Sequence, residues 1–335
     1  MTTASVLLTV GTTWSSNTDI CNKDEKLGRT IRNAPVVAAR ELRETPSGRE
    51  QALRIMREWM QQNCDIKNVR QDDSFLLRFL RHKKFSVPMA QQTLLKYLSL
   101  RKYYPSIFKN MDCENPKIKD IINSGYIAVS PVRDSNGRRV IIYNMGKFDP
   151  IKYSCWDMCR AHVVVYESLL EDPNDQVFGF THVGDGSGST TSHVTAWNPI
   201  DFARLLKWGE QSLPMRHKEF QLVNVPAALK YIIDFATSKV SPKMSERLII
   251  HTNMKNLHNK VDVSCLPTSF GGHIPLQDMI RFTKDLLNER RQTVLALDDM
   301  EILSTRGIIS SRKPTNALKP ESISVEGSFR KLEID

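Results

Sequence analysis

Phe220-Gln-Leu-Val-Asn-Val225, then Pro226-Ala-Ala-Leu-Lys-Tyr-Ile-Ile-Asp-Phe-Ala-Thr-Ser238, then Arg247-Leu-Ile-Ile-His251 follow one another closely. The first and third runs are short, apolar and β-branched, as fits strands buried on both faces. The middle run places Leu229, Ile232, Ile233 and Ala236 on one side of a helix. Strand, helix, strand is the unit of a parallel sheet. Working outward, the same alternation continues. A strand is expected near Val177–Val183 and a helix near Pro199–Glu210. A further helix is expected at Trp156–Leu170, and another near Asn253–Lys260. Tyr126–Val129 and Val140–Tyr143 flank Asp134-Ser-Asn-Gly137, a hairpin signal. The expected fold is α/β with a mainly parallel sheet.

Residues 38–110 carry a different signal. Leu53, Met56, Trp59 and Met60, then Phe75, Leu76, Phe79 and Leu80, then Leu94, Leu95, Leu98 and Tyr103 recur at helical spacing. Asp72 and Asp73 stand where an N-cap belongs, and Pro88 suits a first helical turn. These residues predict a small all-helical module ahead of a main domain over 111–288. Residues 1–37 and 289–335 lack a sustained apolar period and are expected to be a disordered leader and a flexible tail.

The 335 residues are 40% hydrophobic and 25% charged, ordinary values for a globular chain, and 47 Lys and Arg exceed 37 Asp and Glu. An excess of ten positive charges favours an anionic partner. That partner is either nucleic acid, for which no recognition motif stands out, or an acidic membrane surface. No apolar run approaches the roughly 20 residues of a membrane span. The stretch Val6–Val10 is too short for a secretory core and has no basic flank. The six cysteines form no Cys-x-x-Cys pair, which points to a reduced cytoplasmic location.

Enzymatic signatures are weak. The turn Gly184-Asp-Gly-Ser-Gly-Ser189 fits no phosphate-binding spacing and no nucleophile elbow. Cys155, Cys159 and His162 share a helix face, but no second pair completes a tetrahedral metal site. No carboxylate couple stands out, so neither a metal nor a catalytic residue is expected. Two other features remain. The helix at 226–238 has an apolar face widened by Tyr231 and Phe235, beyond what a surface helix needs. It is either a deeply packed helix or a lid meeting a greasy ligand and a membrane. Arg216, Lys218, Lys243 and Arg247 lie near the starts of adjacent strands. They form either a solvated rim or a seat for phosphorylated headgroups, each cation worth about 1 kcal/mol near such a surface.

Asp73-Ser-Phe-Leu-Leu-Arg-Phe-Leu-Arg81, Asp149-Pro150, Asp185-x-x-Gly188, Ser212-Leu-Pro214, Leu222-Val-Asn224 and Leu266-Pro-Thr-Ser-Phe-Gly-Gly272 occur in that order. Together they resemble the CRAL-TRIO (Sec14-like) lipid-transfer proteins over about residues 45–285. The nearest branch holds the alpha-tocopherol transfer protein, the retinaldehyde-binding protein and the clavesins; Glu171 to Phe180 looks clavesin-like. The resemblance implies one hydrophobic molecule in an enclosed pocket behind a gate helix, and no other cofactor. It places phosphoinositide contacts on Lys83, Arg216, Lys218, Lys243 and Arg247. It places the pocket lining on Cys159, His162, Val163, Tyr166, Phe180, Leu205, Trp208, Met215, Phe220, Ile232 and Phe235. The gate falls on Ala228, Leu229, Tyr231, Ile233 and Ala236. Ser269 replaces the family's acidic residue, and Gly184 stands where a Phe is usual, which would enlarge that end of the cavity. The implied activity is a gated lipid carrier, monomeric and reversibly membrane-associated, with an endosomal phosphoinositide-binding adaptor as the alternative.

Overall fold

In the computed structural model, residues 33–196, 199–306 and 308 are described. The expected leader therefore lies outside the described residues up to 32, but 33–37 are structured. Ala34–Val37 is helical and runs into a π-turn, Ala38–Leu42. The main elements follow in order: α1 (Pro46–Gln62), β1 (Ile66–Lys67), α2 (Asp73–His82) and α3 (Val87–Tyr103). Then come β2 (Ile127–Val129), β3 (Arg139–Asn144), α4 (Cys155–Leu169), β4 (Phe180–Asp185) and α5 (Pro199–Gln211). Next are β5 (His217–Val223), α6 (Ala227–Thr237), β6 (Leu248–His251), α7 (Leu276–Leu295) and β7 (Glu301–Ile302).

Local chemistry explains the helix starts. Asp72 caps α2 by accepting from the Phe75 amide at 3.0 Å. Ser154 and Asp157 form a reciprocal capping box on α4. Among the described residues, the large sheet runs β2-β3-β4-β5-β6, antiparallel at the first pair and parallel thereafter. Parallel crossovers over α4, α5 and α6 account for that order.

The sheet has two different faces, because alternate side chains point opposite ways. On one face, Val140, Ile142, Val183 and Val223 close against Leu257, Leu266, Phe270 and Met279. Leu266 to Gly272 builds part of that cover. A Cβ on Gly272 would lie 2.1 Å from the Leu266 carbonyl oxygen, so only glycine fits. Ser269, the departure from the family motif, faces solvent while Phe270 is buried. The other face meets α4 and α5 and is the one that concerns function.

Three boundaries differ from expectation. Val177 and Phe178 close a short helix, Pro173–Phe178, and Gly179 breaks it before β4 begins at Phe180. His217 and Lys218 lie inside β5 rather than ahead of it. The chain beyond 289 is no loose tail through 302. The helix α7 runs to Leu295, a 3-10 turn spans Ala296–Asp299, and β7 pairs antiparallel with β1. Ile280, Leu287 and Val294 anchor α7 at every seventh residue, and charged residues between them hide the period.

The helical module and the sheet domain share one core. It runs from Leu53 and Phe79 through Tyr97 and Tyr126 to Val164 and Phe180. A buried clamp fixes their registration. Arg78, with no exposed side-chain surface, holds Glu167 at 2.8 Å and Glu171 at 2.5 Å. Tyr97 donates to Glu167 at 2.8 Å, and Arg81 holds Glu44 and the Gln176 side chain. The two arginines of the Asp73–Arg81 motif are therefore the joint between the two parts.

Candidate functional site

Beside the closed face, the sheet carries an apolar trough. Phe220 and Leu222 on β5 and Leu248 and Ile250 on β6 share a face and are only half-buried. Around them Tyr143 on β3, His162 and Tyr166 on α4, Leu205 and Trp208 on α5 and Phe235 on α6 are also half-buried. Val140, Ile142, Val183 and Val223, on the opposite face, keep no accessible surface. Gly184 lies in register between Tyr143 and Leu222. The space above it is not vacant: a Cβ there would meet the Leu222 Cδ2 at 2.7 Å. The missing Phe is thus offset by a neighbouring methyl, which corrects the expectation of an enlarged end.

Polar groups line the inner wall in a connected row. Tyr166 and Tyr143 share a hydrogen bond between hydroxyls at 2.6 Å, Tyr143 meets His182 Nδ1 at 2.9 Å, and His182 Nε2 meets His217 Nδ1 at 2.8 Å. His162 Nε2 pairs with the Tyr126 hydroxyl at 2.9 Å, and the His182 ring stacks on Phe220. Burial disfavours the imidazolium, so His162 and His217 are depressed to about 4, and His82 and His182 lie well below the ordinary 6.5. Burial likewise raises the Tyr126, Tyr143 and Tyr166 hydroxyls. These groups are neutral near pH 7 and sit deep in the chain, yet His162, Tyr143 and Tyr166 retain accessible surface. They border a seam between sheet and helices.

The remaining expected lining is packed shut: Cys159, Val163, Phe180, Met215 and Ile232 are buried. On α6, Leu229, Ile233 and Ala236 join Ile232 as the inward stripe, whereas Ala228 and Tyr231 face solvent, Tyr231 with 69% exposure. The helix packs chiefly on α5. Two small cavities lie elsewhere, one of about 20 Å³ lined by residues such as Cys113, Ile122 and Leu287, and one of about 120 Å³ lined by residues such as Asp120, Phe148 and Tyr153. Neither borders the trough. The space behind α6 is bordered by the half-buried Leu205, Trp208, Phe220, Leu222, Phe235, Leu248 and Ile250.

At one end of the trough stands the cationic rim. Phe220 donates its amide to the Arg247 carbonyl at 2.8 Å, and an Arg247 guanidinium N–H donates to the His217 carbonyl. These bonds join the starts of β5 and β6. The cations feel one another. Burial, then Lys96 and Lys243, lower Lys83; Arg247, then burial, Lys84 and Arg216, lower Lys243. Burial first, then neighbouring arginines, lower Arg216, Lys218 and Arg247. Lys83 from the helical module therefore joins Arg216, Lys218, Lys243 and Arg247 in one field. Sequence reasoning missed Lys84, Lys96 and Arg138 in that field, and Glu41 against it. Their common feature is position in three dimensions, with no spacing signal.

Two weaker candidates resolve into structure. The amides of Gly186, Ser187 and Ser189 are taken by Val223, Asp185 and Gly186 oxygens, so the turn offers them to no phosphate. Among the described residues no group of three His, Cys, Asp or Glu is arranged to hold a metal, and no helix is long and apolar enough to cross a membrane.

An apolar seam beneath α6, inside a mostly parallel sheet with an N-terminal helical module, defines a Sec14-like lipid-binding fold. The chain belongs to the CRAL-TRIO family: residues 123–272 match the CRAL/TRIO domain, and residues 45–118 match the Pinta-like UBA domain. Clavesin-1 of Rattus norvegicus is 30% identical over 248 residues, 74% of this chain and 70% of that protein. Clavesin-2 of Homo sapiens is 29% identical over 249 residues, 74% and 76% of the two chains. The alpha-tocopherol transfer protein-like protein of Mus musculus is 26% identical over 292 residues, 84% of each.

Proposed function

We propose that this protein is a lipid carrier, not an enzyme, that lodges one hydrophobic molecule between the β5–β6 trough and α6 and docks on phosphoinositide-bearing membranes through its cationic rim. The observation that supports this most is the adjacency of the two features. Half-buried Phe220, Leu222, Leu248 and Ile250 begin where Arg216, Lys218 and Arg247 end. Apolar surface left in water is unfavourable by about 25 cal/mol per Å², so a few hundred Å² amounts to roughly 10 kcal/mol. Withdrawing a lipid into the seam removes that penalty in transit. Entry of a lipid would displace α6 and, with it, α5, the helix on which it chiefly packs.

Membrane contact would favour that motion. Tyr231 and Ala228 already face outward, and the inward stripe Leu229, Ile232, Ile233 and Ala236 would find an apolar medium only at a bilayer. The headgroup bound at the rim would couple to opening only by binding the open form more tightly. Location at a cytoplasmic membrane face follows from this reading, and a monomer suffices for it.

Two variants test the two halves. Lys218→Ala combined with Lys243→Ala should weaken sedimentation with phosphoinositide-containing vesicles about tenfold, the sum of two cations at ~1 kcal/mol each less screening. Phe235→Asp should abolish extraction of a fluorescent lipid analogue while the circular dichroism spectrum is retained. Unchanged vesicle binding in the first variant, or normal extraction in the second, refutes the corresponding half. Strong vesicle binding with no transfer between vesicles would instead identify a phosphoinositide-binding adaptor.

A further inference from the structure

The rim is already occupied. Glu41, in the π-turn ahead of α1, reaches Lys218 Nζ at 2.7 Å and the Arg216 guanidinium at 3.1 Å through one carboxylate oxygen. These partners are 175 and 177 positions away in the chain. The other oxygen lies 3.7 Å from Arg40, whose side chain is largely exposed. Arg216 is further fixed by donating to the Val177 carbonyl. On the rim reading, this carboxylate, with two cations on one oxygen, takes the place a headgroup phosphate oxygen would take.

The segment that delivers Glu41 is built for the purpose by local geometry. Glu44 donates its amide back to the Ala38 carbonyl at 3.2 Å, widening the turn, and Arg43 adopts φ 64, a left-handed conformation unusual for a side-chain-bearing residue. Ala38 and Leu42 pack in a small satellite cluster with Val177, apart from the main core. Glu44 is bound independently by Arg81. The backbone is thereby pinned on both sides of Glu41, while its own side chain remains about one-third exposed. Burial acts to raise the Glu41 carboxyl, but Lys218 and Arg216 outweigh it, so the group is held ionised.

We infer that Glu41 is an intramolecular competitor for the phosphoinositide headgroup, a latch that a multiply charged phosphate displaces and a single carboxylate or a weakly anionic surface does not. This rests on the rim reading above and adds regulation to it. A monoanion such as phosphatidylserine brings one charge against one and gains little by exchange. A headgroup carrying several phosphate charges gains more from the same cations. The latch thus sharpens discrimination between an ordinary acidic bilayer and one bearing phosphoinositide, in the way an unfavourable competitor enforces specificity.

The experiment uses the full chain and phosphatidylcholine vesicles containing either a phosphoinositide or phosphatidylserine. Glu41→Gln, which keeps the shape and removes the charge, should bind phosphoinositide vesicles about tenfold more tightly, as loss of a charge-assisted pair predicts. It should also gain binding to phosphatidylserine vesicles. Glu50→Gln, an equal charge change at an exposed α1 position, should change neither beyond about twofold. In a Lys218→Ala background the gain from Glu41→Gln should shrink, since the cycle isolates the pair. Wild type that binds with no gain in Glu41→Gln, or an equal gain in Glu50→Gln, overturns the latch and leaves the rim standing. If neither wild type nor Glu41→Gln binds phosphoinositide vesicles while both remain folded, the rim reading itself fails. A gain confined to soluble inositol phosphate, absent with vesicles, reassigns the occupant to a free metabolite and overturns the membrane latch.

Discussion

Acidification from about pH 7 to about pH 5 should destabilise this protein through its buried histidines, and His162 gives the magnitude. Its folded value is depressed to about 4 by burial against an ordinary 6.5. Below 6.5 the unfolded chain binds a proton that the folded chain refuses, so stability falls as pH falls, levelling only below about 4. Applying the linkage relation between about pH 7 and about pH 5 gives a loss of about 2 kcal/mol from His162 alone. His217 is depressed to about 4 as well, and His82 and His182 shift in the same direction. The carboxylates held low by their partners, such as Glu171 and Asp72, lose their contribution at lower pH, so the histidine window is largely separate. Urea unfolding at the two pH values measures the difference. His162→Phe should be less stable overall, because Tyr126 loses its partner, yet its stability should fall by about 2 kcal/mol less between the two pH values. Equal pH dependence in wild type and His162→Phe would refute the reasoning. It would mean that His162 titrates as freely as in the unfolded chain and that the seam beside α4 is wet.

Two further outcomes follow from the joint between module and sheet. Ending the chain after residue 288 removes Val294, Leu297, Met300 and Ile302, all buried, and the Asp298 carboxylate that binds Arg101 and the Asn110 amide. At about 1.5 kcal/mol or more per side chain the loss is about 6 kcal/mol, and the thermal midpoint should collapse; a midpoint within a few degrees of the full chain would show the segment to be dispensable. Arg78→Leu leaves Glu167 buried without its cation and should destabilise by about 3–5 kcal/mol in urea unfolding. A loss under about 1 kcal/mol would mean that Glu167 protonates or finds water.

How much of this was legible in the sequence depends on whether a feature is local. The strand–helix–strand run from Phe220 to His251 was readable because β-branched runs and a 3.6-residue stripe are properties of neighbours along the chain. Asp72 as a cap and Pro88 in a first turn were readable for the same reason. The end of α7 was not, since one anchor in seven among charged residues resembles a polar linker. Nor was the break at Gly179, where an apolar run continues from helix into strand without a change of character. The row Tyr166, Tyr143, His182 and His217 draws on one helix and three strands, and only sheet register brings it together. Resemblance to a family supplied candidate positions for the rim and pocket. It did not supply Glu41, whose partner lies more than half the chain away.

Tyr104 and Trp208 meet with ring centroids 3.8 Å apart, joining the end of the helical module to α5. The same module supplies Lys83 at the far end of the trough. The helical module thus reaches both α5 and the cationic rim. If lipid entry moves α5 outward, the Trp208 indole leaves the Tyr104 ring, and a change in its fluorescence would report that motion.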